Sequence, residues 1–403
     1  MKKLLSFAAL ILWGIVQINA QVENETITKK ERKKTGKADL AAGKTPLSDE
    51  YRRLKNKPMA VDTSFRRGLI KALTGTTVLP NFVFVASHRA QYYGGTEPEN
   101  SMEGLRALKL GTPEAKADLV ELDIKKSSDG QVYVMHDDYL QRTTDFLDKF
   151  PGVGQGSDNY GHYDYYTWAQ VRTLTLKKPD FSYTDRKVPL FRDVLRYMKN
   201  ETSSLINLDI NDHNVFRAVW DIVKEEDAFH VCIFKMATFS PNDYYNQYFN
   251  QLSEAQKNKV IFFPMAAPSN PGYNDPMVFY NDWEKTCTDP VVNRCLAKGY
   301  EVGYKGYTAD DNKLMEVAAA VRVKNRVRVH AFNTYPDTYD GRYKGNVNIG
   351  QCCNDAYDAR GDWNYLMDPK NAGTYTQGVN GYMITDDPET LRHYLEGTHG
   401  PNK

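Results

Sequence analysis

Short apolar runs rich in β-branched and aromatic residues recur along this chain, and between them the apolar residues shift to helical spacing. Strand-like runs lie at 82–86, 118–124, 131–135, 204–210, 231–234, 260–263, 301–303, 327–332 and 381–384, with a helix pattern over 188–198 and others between several of the strands. A run such as Phe82-Val83-Phe84-Val85-Ala86 is apolar on both faces, so its strand must be covered on both sides. Helices alternating with such strands supply that cover and imply a parallel sheet. Extended over residues 81–395, the pattern predicts an α/β fold, a closed TIM-type (β/α)8 barrel with loop insertions. The insertions are expected at 145–187, rich in Gly, Tyr and Asp, and at 335–379, which holds Cys352-Cys353.

Ahead of the barrel the chain has a different character. Met-Lys-Lys, an apolar run over 4–16 and a small-residue site at Ala20 form the pattern of a secretory signal peptide, which predicts a secreted or periplasmic protein cleaved near Ala20. The apolar run is too short for a comfortable membrane span, so no stable membrane insertion is expected. The N-terminal extension, 21–80, begins with a charged stretch expected to be a flexible leader and continues, over 47–79, with sparse apolar residues predicting short helices packed on the outside of the barrel.

Lys plus Arg (52) nearly cancel Asp plus Glu (51), so no global field holds nucleic acid, and any phosphate recognition must be local. Export permits disulfides. Cys287, Cys295, Cys352 and Cys353 lie in loop-like sequence without paired metal-site spacing and are read as loop staples, while Cys232, in an apolar run, is read as a buried free thiol.

Chemistry enters through polar residues that interrupt or end the strands: His88 and Arg89 after the first, Glu121 and Asp123 inside the second, His136 after the third, Asp209 in the fourth. Side chains two apart in a strand share a face, so Glu121 and Asp123 point together, and Asp209 from a neighbouring strand can meet them. Three convergent carboxylates call for a cation, and oxygen-only ligation suits Mg2+ or Ca2+. Two histidines at strand ends can exchange protons with the attacking and leaving oxygens of a phosphodiester, and Arg89 can hold a phosphate oxygen.

His88-Arg89, Pro98-Glu99-Asn100-Ser101, Glu121-Leu122-Asp123-Ile124, Asp129-Gly130, and His136-Asp137 with Leu140 and Arg142-Thr143-Thr144 occur in this order. They resemble the HR, PEN(T/S), E-x-D, DG and HD-x-x-L-x-RTT signatures of the glycerophosphodiester phosphodiesterase family, part of the phosphatidylinositol phospholipase C-like superfamily. The likeness continues through Val188-Pro189-Leu190, Leu208-Asp209-Ile210 and Ile384-Thr385-Asp386-Asp387-Pro388, spanning 82–395. It implies metal-dependent hydrolysis of a small phosphodiester, such as a glycerophosphodiester, to glycerol phosphate and an alcohol. His88 and His136 would be the acid/base pair, Glu121 and Asp123 metal ligands, and Arg89 a phosphate contact. Asn100 joins Arg89 as a substrate-binding candidate, or else orders its loop or reaches the metal shell with Glu99.

This chain departs from the family at Asp209-Ile210-Asn211, where a Glu-x-Lys is usual; the carboxylate remains but the lysine is lost. Lys235 or Lys305 can supply the missing charge from another strand end, and Lys235 is the preferred candidate. His330-Ala331-Phe332-Asn333 stands where the family often has Trp-Thr-Val-Asn, an aromatic lid. Two other readings stay open: a phospholipase-like lyase releasing a cyclic phosphate, and a non-catalytic barrel that binds envelope or glycan through its loops.

Overall fold

The computed structural model describes residues 63–75, 83–91, 96–152, 161–178, 180–267, 270–304, 309–324, 329–333, 381–386 and 388–396. Its strands are β1 (Phe84–Ser87), β2 (Leu119–Lys126), β3 (Val132–Val134), β4 (Thr175–Lys177), β5 (Tyr183–Lys187), β6 (Ile206–Asp209), β7 (Cys232–Met236), β8 (Ile261–Ala266), β9 (Tyr300–Tyr304), β10 (Val329–Asn333) and β11 (Tyr382–Thr385). Eight of them, in the order β1-β11-β10-β9-β8-β7-β6-β2, pair in parallel, and a β1–β2 pairing through Ala86↔Leu119 and Ser87↔Val120 closes the ring. The fold is the (β/α)8 barrel that the strand and helix alternation predicts. β3 is not a stave; it runs antiparallel along the end of β2 and carries the chain toward the mouth.

The helices include α1 (Thr63–Leu73), α2 (Met102–Ala107), α3 (Phe191–Glu201), α4 (His213–Glu225), α5 (Pro276–Lys285), α6 (Ala309–Lys324) and α7 (Pro388–Glu396). Each needs a start signal and an apolar stripe, and α4 shows both. The Asp212 carboxylate accepts from the backbone N–H of Asn214 and Val215, and Val215, Phe216, Val219, Trp220 and Val223 recur at helical spacing on its buried face. That stripe meets the outward side of the staves, with Trp220 and Phe216 against Phe234 of β7 at ring distances of 5.0 and 5.6 Å.

Alternation along the staves divides two cores. Val120, Leu122 and Ile124 point outward with the helices, whereas Leu119 joins Phe84, Ala86, Leu205, Ile233, Ile261, Phe263, Tyr382 and Ile384 inside the barrel. Leu69, Ala72 and Leu73 of α1 belong to this inner cluster, at the end where the strands begin. The expectation that helices of the extension pack on the outside is corrected here: α1 plugs the bottom of the ring. Its apolar positions fill the end of a tube that the stave side chains alone leave open.

Arg66 fastens that plug. Its guanidinium is buried and donates to the carbonyl oxygens of Met198 (2.6 Å) in the last turn of α3 and of Thr202 (2.6 Å) and Ser204 (2.9 Å) in the turn that leads to β6. Arg66→Ala strips these buried acceptors of their donor, and urea unfolding is expected to show a loss of about 2–4 kcal/mol.

The expected loop at 145–187 has structure of its own. β4 and β5 form an antiparallel hairpin over a satellite core of Tyr133, Met135, Leu140, Phe146, Tyr166, Val171, Leu174, Leu176 and Val188. Arg186 ties it to Glu97, in the loop that precedes α2, at 3.0 Å. Cys287 and Cys295 form a disulfide after α5, and Cys232 is buried without one, as expected. The leader 1–20, the rest of the extension to residue 62, the insertion 335–379 with Cys352 and Cys353, and Lys305 lie outside the described residues. Among the described residues no helix is long and apolar enough to cross a membrane.

Candidate active site

The staves deliver their polar residues to the end opposite α1. β2 and β6 run in register with Glu121 beside Asn207 and Asp123 beside Asp209, so adjacent strands present carboxylates at one level. One oxygen each from Glu121, Asp123 and Asp209 lies within 4.8 Å of the others, and Glu121 and Asp123 are buried. Burial, reinforced by Asp123 and Asp209, pushes the Glu121 carboxyl well above the usual carboxylate range. Burial also presses Asp123 upward, but the charges of His136, Arg89 and His88 and the Asn100 amide outweigh it and draw Asp123 down.

Glu121 Oε2 accepts from the Arg89 backbone N–H at 3.1 Å, while its buried Oε1 has no hydrogen-bond partner among the described residues. A buried carboxylate with an orphaned oxygen, beside two further carboxylates, calls for a positive charge. This donor set, all oxygen and partly buried, fits a hard divalent cation.

Both histidines stand at the same rim with a carboxylate behind them. His88, one residue past β1, bonds through Nδ1 to Asp386 Oδ1 at 2.7 Å, just past the end of the neighbouring β11, and its Nε2 lies 4.0 Å from Glu121 Oε2. His136 bonds through Nδ1 to Asp137 Oδ1 at 2.6 Å. A carboxylate only accepts, so each Nδ1 carries the hydrogen, and whenever a ring is neutral its lone pair lies at Nε2.

Behind them runs a chain of ion pairs. Arg142 grips Asp137 through Nε and Nη2 and reaches Glu99 Oε1 at 2.7 Å; Glu99 meets Arg89 Nη1 at 3.4 Å; Arg89 Nε stands 3.3 Å from Asp123 Oδ2. Arg142 and His136 hold the Asp137 carboxyl far below its ordinary range against the upward push of burial. Arg89 is buried, and its Nη2 has no hydrogen-bond partner among the described residues.

Backbone strain accompanies this placement. Arg89 (φ 53°), Ala90 (φ 60°) and Asn100 (φ 54°) all adopt the left-handed conformation, and the Asn100 N–H donates to the Arg89 carbonyl at 2.7 Å. Three non-glycine residues in that region cost roughly 1 kcal/mol or more each, a penalty retained where a function demands the geometry.

Two sequence expectations are placed differently. Asn100, expected at the substrate, commits both ends of its amide to Asp123: Nδ2 donates to Oδ2 at 2.9 Å and Oδ1 accepts from the Asp123 N–H at 3.3 Å. It orients a carboxylate. Lys235, expected at the mouth as the replacement lysine, lies fully inside the barrel, 2.7 Å from Glu301 Oε1 and 3.8 Å from Asp209 Oδ2. Asp209, Glu301 and Glu121 raise its affinity for the proton despite burial, so it is a charged group among carboxylates. His330 forms no lid; it is buried and stacks between Phe263 and Tyr382 at centroid distances of 4.2 and 4.3 Å.

Sequence reasoning assigned no role to Asp386, Asp137 or Glu301. Asp137 and Asp386 stand in motifs already noted, and the missing signal was their partner's position in space. Glu301 announced itself only as a charged residue within a strand run.

Several comparisons bear on this arrangement. The model of the glycerophosphoryl diester phosphodiesterase family matches residues 88–255, which takes in His88, Glu121, Asp123, His136 and Asp209. Over 129 residues the chain is 33% identical to the uncharacterized protein YqiK of Bacillus subtilis (strain 168), covering 32% of this chain and 45% of that relative, so the chain spans under half the length of the curated protein it matches. A solved glycerophosphoryl diester phosphodiesterase from Parabacteroides distasonis ATCC 8503 is similar in fold, with a TM-score of 0.50 over 81% of this chain and 90% of that one at 15% identity.

Proposed function

We propose that this chain, whose residues 88–255 match the glycerophosphoryl diester phosphodiesterase family, hydrolyses a small glycerophosphodiester to glycerol phosphate and an alcohol, with His88 and His136 as the acid/base pair. The observation that carries this reading is the pair of Nδ1–carboxylate contacts, His88 to Asp386 and His136 to Asp137, at the rim of a site holding three convergent carboxylates. Each contact fixes its imidazole in the tautomer that exchanges a proton at Nε2.

In this reading one neutral histidine removes a proton from the attacking water at Nε2, as the water oxygen bonds to phosphorus. The other, protonated, donates its Nε2 proton to the departing alkoxide, so the two rings exchange charge over a turnover. Arg89 supports this through the unpaired Nη2, which can take a non-bridging phosphate oxygen. Glu121, Asp123 and Asp209 would hold Mg2+ or Ca2+, which supplies polarisation of a phosphoryl oxygen when bound. Asn100 keeps Asp123 turned toward that position. Export to an oxidising compartment belongs to the same proposal; the leader sequence and the Cys287–Cys295 disulfide support it.

Phosphorus NMR of glycerophosphocholine incubated with the protein tests the reading directly. Glycerol phosphate is expected to accumulate with Mg2+ or Ca2+ and to stop forming when EDTA is added. No turnover of any glycerophosphodiester under those conditions would overturn it, and a cyclic phosphate product would replace water by an internal hydroxyl as nucleophile.

A further inference from the structure

Beneath the carboxylate trio the barrel interior holds charged and polar groups that the proposed reaction does not use. Glu301 of β9 is 0% exposed. Its Oε1 pairs with Lys235 of β7 at 2.7 Å, and its Oε2 accepts from the Tyr382 hydroxyl of β11 at 2.6 Å and from Asn207 Nδ2 of β6 at 3.0 Å. Asn207 Nδ2 also reaches the Tyr382 hydroxyl at 2.6 Å. Three other staves thus fasten one carboxylate, and the ring of Tyr382 is itself held against His330.

The consequence lies in where this leaves Lys235. Its ammonium stands between two carboxylates, in contact with Glu301 at 2.7 Å but 3.8 Å from Asp209 Oδ2. An ammonium in a dry interior closes on whichever anion is offered, so without Glu301 it would collapse onto Asp209 and take that carboxylate as its counter-ion. With Glu301 in place, Lys235 is drawn 2.7 Å from Glu301 and stays 3.8 Å from Asp209, so its charge is shared between the two carboxylates rather than spent on the Glu121–Asp123–Asp209 trio alone.

We propose that Glu301 is a positioning residue that, by holding Lys235 closer to itself than to Asp209, sets how strongly the Glu121–Asp123–Asp209 trio binds its divalent cation. This rests on the metal reading above and adds the group that tunes it. Glu301 touches neither cation nor substrate in this account; it acts through Lys235.

The sign of the effect separates this role from ordinary packing. Glu301→Gln keeps the shape and the acceptor for Tyr382 but leaves Asp209 and Glu121 to balance the Lys235 charge, and calorimetric titration of the metal-free protein with Ca2+ is expected to show affinity reduced about 10-fold or more. The double variant Lys235→Met/Glu301→Gln removes both charges and is expected to return Ca2+ affinity to within about 3-fold of wild type, since the net charge beside the trio is restored. Should Glu301→Gln fail to fold, as judged by thermal unfolding in EDTA, Lys235→Met alone carries the test with the opposite sign. It adds an uncovered negative charge, and Ca2+ is expected to bind at least as tightly as to wild type.

Wild-type affinity in Glu301→Gln, equal weakening in the single and double variants, or weaker binding in Lys235→Met would each overturn the inference while leaving the metal site standing. A wild-type protein that takes up no Ca2+ would instead remove the metal reading and, with it, the role given to Glu301.

Discussion

Replacing His88 or His136 by alanine is expected to lower kcat/KM on glycerophosphocholine by about 10²–10⁴-fold, with the fold intact, because in the proposed mechanism each ring carries one of the two proton transfers. Both side chains lie at the rim rather than in the packed core, so their loss opens no cavity among the apolar residues that hold the ring together. The partners give a graded version of the same test. Asp386→Asn retains the shape of the group behind His88 but can donate to Nδ1, which favours the wrong tautomer; a smaller loss, about 10-fold or more, is expected, with a displaced pH profile. Full activity in either alanine variant, measured against an unchanged unfolding curve, would remove that histidine from the mechanism.

Glu121→Gln should produce the second large change, and in two opposed directions. In EDTA at pH 8 the variant is expected to be more stable than wild type by about 1–3 kcal/mol, because it relieves the repulsion that burial, Asp123 and Asp209 impose on Glu121. The pH dependence follows from the direction of the shift. A carboxyl whose folded-state affinity for the proton exceeds its unfolded value favours folding when protonated; that advantage is complete below the ordinary carboxylate range near pH 4.5 and is lost as pH rises through the elevated value. The gap between variant and wild type should therefore open with rising pH and close toward pH 4. Added Mg2+ or Ca2+ should raise the unfolding temperature of wild type and leave Glu121→Gln nearly unmoved. Differential scanning calorimetry across pH, with and without metal, reads both effects; equal stability of the two proteins in EDTA at pH 8 would show that the trio is not electrostatically strained.

Much of this was legible in the residues. The staves announce themselves because a strand buried on both faces needs an unbroken apolar run, and the polar residues that break such runs mark the positions where the barrel interior turns from packing to chemistry. Glu121 and Asp123 share a face by the two-residue period alone, and Asp209 meets them because β6 lies beside β2. The β4–β5 hairpin stayed hidden because Tyr183-Thr184-Asp185-Arg186-Lys187 lies over the satellite core with most of its length exposed and offers almost no apolar signal.

α1 was misplaced for a different reason: an amphipathic stripe says that a helix must bury one face, not which surface receives it. Asn100 and Lys235 show the same limit. Their chemistry permits a phosphate contact, and only the nearness of Asp123 and Glu301 turns them toward other partners. Pairings such as His88 with Asp386, separated along almost the whole barrel sequence, have no local signature at all.

The β1–β11 seam joins the first stave to the last. Until the final stave has docked, β1 and its neighbour expose unpaired backbone, and this late, non-local pairing is slow by the ordinary dependence of folding speed on topology. Ser87 and Thr385 are the last registered partners of that seam, one residue short of His88 and Asp386. On the proposed mechanism, the His88 imidazole therefore acquires its carboxylate partner only when the cylinder zips shut, which would tie the onset of turnover to the completion of folding and keep a half-built chain inert.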